Sequence, residues 1–145
     1  FTLPNTNWKL KLVDSEETVA TDGRGVNGFD GATGTIWHTQ FLNGSPPPPH
    51  EIQIDLGGSA NLNGFVYVPR QDGSPNGWIG QYEFYVSTDG VNWGSPVAAG
   101  TFWGLPSMGP QSAARQGQTS LRDGPPHRWK RTAYRPSNRQ GQQSA

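Results

Sequence analysis

The sequence contains no cysteine. That excludes a disulfide framework, a thiolate zinc site and a cysteine nucleophile. No apolar run approaches the roughly 18 residues that a membrane-spanning helix needs, and no stretch of about ten residues repeats its apolar side chains at helical spacing. A glycine-rich phosphate loop opening a helix is absent, and so is a histidine pair at metal-ligand spacing. Net charge is zero, from 11 Lys and Arg against 11 Asp and Glu. That balance conceals a division. Residues 1–100 hold ten carboxylates against four cations, a net of −6, while residues 101–145 hold seven cations against Asp123 alone, a net of +6. Such asymmetry marks segments of different character.

What the sequence does have is turn chemistry. Its 145 residues allow one domain and one core. Twenty glycines and thirteen prolines, with 11% aromatics, point to an all-β chain. Trp8, Leu10, Leu12 and Asp14 alternate with Lys9, Lys11 and Val13, the pattern of a half-buried strand. Asp22-Gly23, Asn27-Gly28 and Asp30-Gly31 mark a long irregular region that Ile36-Trp37 anchors, and the proline run 46–49 has no amides to offer a sheet. Further strands are predicted over 51–56, 62–68, 81–87 and 97–102, with Asp89-Gly90 turning the chain. These elements predict a jelly-roll β-sandwich. Residues 103–145 contain no Val or Ile, and Leu105 and Leu121 are their only leucines. Such a composition buries too little apolar area to offset its ordering entropy. It reads as a disordered basic tail behind a domain at 1–102. The chain opens on Phe1 rather than Met, as a processed product or a fragment does, and no signal peptide is legible in it.

Particular words carry more than periodicity does. Asp14-Ser15-Glu16-Glu17-Thr18 is followed by Phe29-Asp30-Gly31 and Thr35-Ile36-Trp37-His38-Thr39, and Pro48-Pro49-His50 precedes Ile54-Asp55-Leu56. Pro69-Arg70-Gln71-Asp72-Gly73 leads to Asn76-Gly77-Trp78-Ile79-Gly80, then to Tyr85-Val86-Ser87-Thr88-Asp89-Gly90 and Asn92-Trp93-Gly94-Ser95-Pro96. Over residues 8–102 this order and spacing resembles the discoidin family, the coagulation factor 5/8 type C domains. Within it, the words are similar to carbohydrate-binding module family 32 and to the N-terminal domain of fungal galactose oxidases. The resemblance implies a galactose-binding-domain-like jelly roll with a shallow, lectin-like sugar site built from loops at one end.

The matching site positions are His38, Arg70 and Asn76, with Trp78 or Phe41 as the aromatic beside them. A sugar presents hydroxyls that both donate and accept, plus one apolar C–H face. Arg70 offers parallel N–H donors to adjacent oxygens, and His38 and Asn76 supply donors and acceptors. An aromatic ring covers the C–H face. Each residue also has a plainer reading: Arg70 pairs with Asp72 at the surface, His38 satisfies a loop carbonyl, and Asn76 opens a turn with Gly77. Trp37 and Trp93 read as core rather than platform. Thr21 stands where many bacterial relatives carry a carboxylate. The resemblance further implies a structural calcium or sodium ion, with charge from Asp30, a hydroxyl or carbonyl from Thr35 and main-chain oxygens from Asn27 and Ala32. The alternative there is an Asx-turn that needs no ion.

No catalytic constellation appears. Glu16 and Glu17, adjacent on an extended segment, point to opposite faces and make a poor acid–base pair. The expected function is a non-catalytic module for galactose-type sugars, attached to or cut from a secreted carbohydrate-active enzyme such as a galactose oxidase or glycoside hydrolase. Expected partners are galactose-containing glycans, with no nucleic acid, no membrane span and a monomeric state. Two rivals stand beside it. One is an adhesion or membrane-docking domain, for which Phe41-Leu42 is the apolar loop tip. The other is a truncated product without function. Relatives close with two further strands whose words are missing after Phe102, and a one-nucleotide shift across 121–134 permits a word close to their final loop. That reads the tail as out of frame, against a genuine basic tail for an anionic partner.

Overall fold

The computed structural model describes residues 3–74, 76–102, 111–114 and 128–130. Its strands are β1 (Lys9–Val13), β2 (Ile52–Asp55), β3 (Gly64–Tyr67), β4 (Gln81–Ser87), β5 (Ala98–Thr101), β6 (Gln111–Ala114) and β7 (Arg128–Lys130), with a 3₁₀ turn at Gly25–Gly28. A five-stranded sheet runs β1-β2-β7-β4-β5, and β3 pairs with β6 in a second sheet. Every pairing is antiparallel. The predicted strand at 81–87 coincides with β4, and those at 51–56, 62–68 and 97–102 contain β2, β3 and β5.

Aromatic side chains join the two sheets. Period-two alternation puts Phe65 and Tyr67 on one face of β3, and Tyr82 and Phe84 on one face of β4. Phe65 stacks on Phe84 with ring centroids 4.6 Å apart at 14°, and meets Tyr82 edge-on at 5.2 Å. Phe102, just past β5, stacks on Tyr82 at 4.5 Å and reaches Tyr67 at 4.9 Å. Contacts of this geometry add about 0.5–1.5 kcal/mol each beyond the area they bury. At the opposite edge, Asp14 ties the end of β1 to the start of β2. Its carboxylate accepts from the Glu51 amide at 2.8 Å and lies 3.0 Å from Nδ1 of the buried His50.

β1 keeps its expected place but not its expected phase. Pairing moves from Leu10 opposite Ile54 to Leu12 opposite Gln53, so Lys11 is the extra residue of a bulge. The bulge resets the alternation: Val13 turns inward and Leu12 is left 41% exposed.

The larger departure lies in the tail. β7 sits between β2 and β4, with Arg128 opposite both Asp55 and Ser87. β6 pairs along the whole of β3, from Gly64 opposite Ala114 to Tyr67 opposite Gln111. The expectations of a disordered tail and of missing final strands therefore do not hold for these two segments. Composition missed them because a strand seated beside another is held by main-chain hydrogen bonds, which any non-proline residue supplies. The remainder of 103–145, including most of the stretch read as out of frame, lies outside the described residues. Because β7 stands between β2 and β4 in the five-stranded sheet, a chain cut after residue 102 is expected to lose its cooperative thermal transition. A 1–102 fragment melting at the temperature of the 145-residue chain would show that β6 and β7 are dispensable.

Candidate functional site

The site is assembled from the segment that follows β1. Ser15 takes the Trp37 indole N–H on its carbonyl at 2.9 Å and the Gln40 amide on its hydroxyl at 3.0 Å. The Glu17 amide donates to the His38 carbonyl at 2.8 Å, the Gly23 amide to the Glu17 carbonyl at 2.8 Å, and the His38 amide to the Gly23 carbonyl at 3.0 Å. The approach is too close for a side chain at Gly23, whose Cβ would stand 2.9 Å from Cβ of His38.

The Glu17 side chain closes this unit. It is only 1% exposed, and its carboxylate accepts four main-chain N–H groups. Val19 and Ala20 donate to Oε1, and Phe41 and Leu42 to Oε2, each at 2.9 Å. The amides of Leu42, Phe41 and Ala20 hold the carboxyl down at a pKa of about 2, against an ordinary 4.5. One carboxylate thereby ties loop 17–20 to the loop that carries Phe41. Glu16 is spent differently: its carboxylate accepts the Gly25 amide at 2.8 Å, at the start of the 3₁₀ turn.

His38 is therefore fixed by its main chain. Its Nδ1 lies 2.6 Å from the Thr39 carbonyl. A carbonyl only accepts, so Nδ1 carries a proton, and in the neutral ring Nε2 is left as an acceptor. The plainer reading of His38 is thus met by one nitrogen and leaves the other for a ligand. The Phe41 ring, 49% exposed, meets the imidazole edge-on at a centroid distance of 4.9 Å. Gly77 lies against the same imidazole, and its φ of +81° is one that glycine adopts without strain.

Arg70 follows β3 and is only 18% exposed in its side chain. Nε donates to Asp72 Oδ1 at 2.7 Å and Nη2 to Asp72 Oδ2, while Nη1 donates to the Asn76 carbonyl at 3.2 Å. The pair with Asp72 that the sequence offered as the plain alternative is formed, as a two-pronged fork. It holds the Asp72 carboxyl at a pKa of about 2 and pushes the guanidinium up. Among the described residues, three of the five guanidinium N–H groups are used, which leaves two for a ligand. The structure thus links Phe41 to His38, His38 to Gly77, and Asn76 to Arg70.

Asn76 enters through its main-chain carbonyl, and its side chain is exposed. Trp78 is half-buried, with its indole N–H buried and lacking a hydrogen-bond partner among the described residues. Phe41 is the ring set against His38. Trp37, half-buried and bonded to Ser15, follows its structural reading, and Trp93 is half-buried too. Glu17 and, beyond its pairing with Arg70, Asp72 are positioning groups that only the folded chain reveals. The signal for Glu17 was its place in the Asp14-Ser15-Glu16-Glu17 word.

The loop read as a cation site forms a compact Asx-turn. Asp30 Oδ1 accepts the Ala32 amide at 2.8 Å, Oδ2 accepts the Thr35 hydroxyl at 2.7 Å, and the Ala32 carbonyl lies 3.1 Å from that hydroxyl. The side chain of Asn27 is turned elsewhere, donating to the Asp22 carbonyl at 2.9 Å and the Ile36 carbonyl at 3.3 Å. Among the described residues, no group of three or more His, Cys, Asp and Glu converges for a metal. Asp30, Ala32 and Thr35 nonetheless form an all-oxygen donor set around one carboxylate, which fits a hard cation rather than a soft one. Beside this loop, a cleft of about 530 Å³ runs between residues 21–36 and Arg70 to Asp72. Among the described residues, its lining takes in Arg70 but none of His38, Phe41, Asn76 and Trp78.

Comparison with known proteins agrees with this architecture. The F5/8 type C domain profile matches residues 13–125. A galactose oxidase of Gibberella zeae is 53% identical over 76 residues, covering 52% of this chain and 11% of that protein. A sialidase of Micromonospora viridifaciens is 44% identical over 112 residues, covering 77% of this chain and 17% of that protein. The chain therefore spans less than a fifth of the length of either relative. Among solved structures, CpGH89CBM32-5 from Clostridium perfringens, in complex with GalNAc-β-1,3-galactose, superposes with a TM-score of 0.73 at 31% identity, covering 90% of this chain and 86% of that one. Among the described residues, no helix is long and apolar enough to cross a membrane.

The Glu17 arrangement sets an acid limit. Its folded pKa lies below its ordinary value, so its stabilising contribution is full above about pH 4.5 and drains away as pH falls towards about 2. Glu17→Ala is expected to lower the melting temperature at pH 7 by roughly 5 °C or more. It should also flatten the acid limb between those two pH values. Thermal melts of wild type and variant across pH 2–7 check this, and parallel acid limbs would assign the limb to other carboxylates.

Proposed function

Since the chain belongs to the F5/8 type C domain family, we propose that it is a non-catalytic carbohydrate-binding module that recognises galactose-type sugars. The observation that carries the reading is the Arg70 guanidinium, held by Asp72 and the Asn76 carbonyl with two N–H groups left over. Two donors on neighbouring guanidinium nitrogens suit the adjacent oxygens of a sugar. The His38 Nε2 acceptor and the exposed Phe41 ring supply what a donor pair lacks, a group to receive a hydroxyl proton and a face for the C–H surface. Asn76 and Trp78 complete the set of candidate contacts. The relatives support the sugar class, since one acts on galactose by name and one was solved with a galactose-containing disaccharide.

In this reading the module is a monomer carried by a longer, secreted carbohydrate-active enzyme, and it raises the enzyme's local concentration at a galactose-bearing glycan surface. A single open site pays for few immobilised groups, so its affinity is roughly millimolar, about −4 kcal/mol. Tethering to the enzyme or repetition of the site makes that useful.

Arg70→Ala is expected to abolish retention on a galactose matrix while leaving the thermal transition in place. Asp72→Ala is expected to weaken retention without touching the sugar, because the guanidinium loses the group that orients it. Unchanged retention in Arg70→Ala would remove the site. A second test concerns the turn at Asp30. We assign it a calcium or sodium ion held by Asp30, Thr35 and the Ala32 carbonyl, with Asn27 at the loop's start. Millimolar calcium should then raise the melting temperature of wild type by a few degrees and leave Asp30→Ala unmoved. Identical melts of wild type with calcium and with chelator, in sodium-free buffer, would leave the turn ion-free.

A further inference from the structure

Asparagine followed by glycine is a chemically reactive pair. The glycine has no Cβ to shield its amide nitrogen, which can reach the asparagine carboxamide carbon and close a five-membered imide. The sequence holds four such pairs, beginning at Asn27, Asn43, Asn63 and Asn76. The fold treats them differently. Asn27 sits in the 3₁₀ turn, with its carboxamide donating to the Asp22 and Ile36 carbonyls. A carboxamide held in that way is not free to turn onto the next amide. Gly64 is fixed in β3 opposite Ala114, so the chain after Asn63 is held extended. Asn43 and Gly44 are exposed, but among the described residues no hydrogen bond joins them to Arg70 or His38.

Asn76 is both open to reaction and tied to the site. Asn76 and Gly77 are exposed, with Gly77 at a φ of +81°. Among the described residues, no partner holds the Asn76 carboxamide or the Gly77 amide. The main chain between them carries two of the contacts that arrange the site. The Asn76 carbonyl accepts from Arg70 Nη1 at 3.2 Å, and a Cβ at Gly77 would stand 3.5 Å from His38 Nε2.

We propose that Asn76-Gly77 is a spontaneous modification site whose reaction switches the candidate sugar site off as the protein ages. The Gly77 nitrogen gives up its proton and bonds to Cγ of Asn76, and the former side-chain nitrogen leaves as ammonia. Water then opens the imide on one side or the other. Opening at Cγ gives aspartate. Opening at the main-chain carbonyl gives isoaspartate, in which the chain runs through Cγ and is one methylene longer. In isoaspartate the carbonyl that held Arg70 becomes a free carboxylate, and Gly77 is shifted away from the imidazole. Either product places a new negative charge beside Arg70, and a carboxylate binds guanidinium N–H groups more strongly than a neutral carbonyl does. The donors left for a sugar are thereby drawn away. The effect on binding rests on the galactose reading of the site, whereas the reaction itself does not.

The test ages the 145-residue chain in warm, mildly alkaline buffer, where an amide nitrogen gives up its proton more readily. A synthetic peptide covering residues 72–80, aged beside it, marks the point at which an unrestrained pair has reacted fully. Aged protein is then passed over a galactose matrix, and both fractions are mapped by mass spectrometry with isoaspartyl methyltransferase labelling. Asn76 is expected to convert while Asn27 and Asn63 stay intact, and conversion at Asn43 should appear in both fractions. Chains with isoaspartate at position 76 should collect in the unretained fraction and keep their thermal transition. Asn76 still intact when the peptide is exhausted would overturn the reaction. Modified chains retained as well as fresh ones would overturn the switch, and so would unretained chains that have lost their thermal transition, since unfolding would then explain the loss. Fresh protein that is never retained would instead bring down the galactose reading, and the peptide map would still report on Asn76.

Discussion

A carboxylate withdrawn from water is tolerated only where other groups replace its hydration. Glu17 meets that condition with four main-chain amides, drawn in pairs from two separate loops. Neither loop belongs to a sheet, so each would otherwise rely on solvent for those amides. The Glu17 main chain meanwhile pairs with both Gly23 and His38. Loop 17–20, the Gly23 approach, His38 and the Phe41 backbone are thereby fixed together. The ring and imidazole that would meet a ligand are consequently set before the ligand arrives, which lowers the ordering cost of binding.

Arg70 illustrates how a structural contact and a proposed binding role are compatible in one side chain. Taken alone, a fork to Asp72 counts as a surface ion pair of little energetic value. Here it works with the Asn76 carbonyl to orient the guanidinium, whose remaining donors are then aimed rather than free to rotate. The two readings weighed for Arg70 are therefore not rivals. The same holds for His38, whose Nδ1 serves a loop carbonyl and so sets the tautomer that leaves Nε2 as an acceptor.

Legibility followed the range of the interactions involved. β2 through β5 were readable because side-chain alternation and Gly-containing turns are local properties. The phase of β1 was not, since the Lys11 bulge depends on how β1 registers against β2. β6 and β7 escaped notice because apolar content measures what a segment buries through side chains, whereas these strands are placed by main-chain pairing with β3, β2 and β4. His38, Arg70 and Asn76 were identified through sequence words, and the structure joins them through Gly77 and the Asn76 carbonyl.

By itself, then, the sequence determined the all-β character, the positions of β1 to β5, the turn at Asp30 and the polar side chains of the candidate site. These are set by spacing of a few residues and by the conformational preferences of Gly, Pro, Asn and Asp. Only the tertiary structure decided that Phe41 faces His38, that Arg70 is oriented by Asp72, and that Glu17 is spent on the amides of a loop 24 and 25 residues away. It also decided that β2 and β4 are joined through a strand from the basic tail. The physical reason is common to all of these. Buried polar groups must find partners wherever the folded chain brings donors and acceptors into reach, and sequence distance does not enter that requirement.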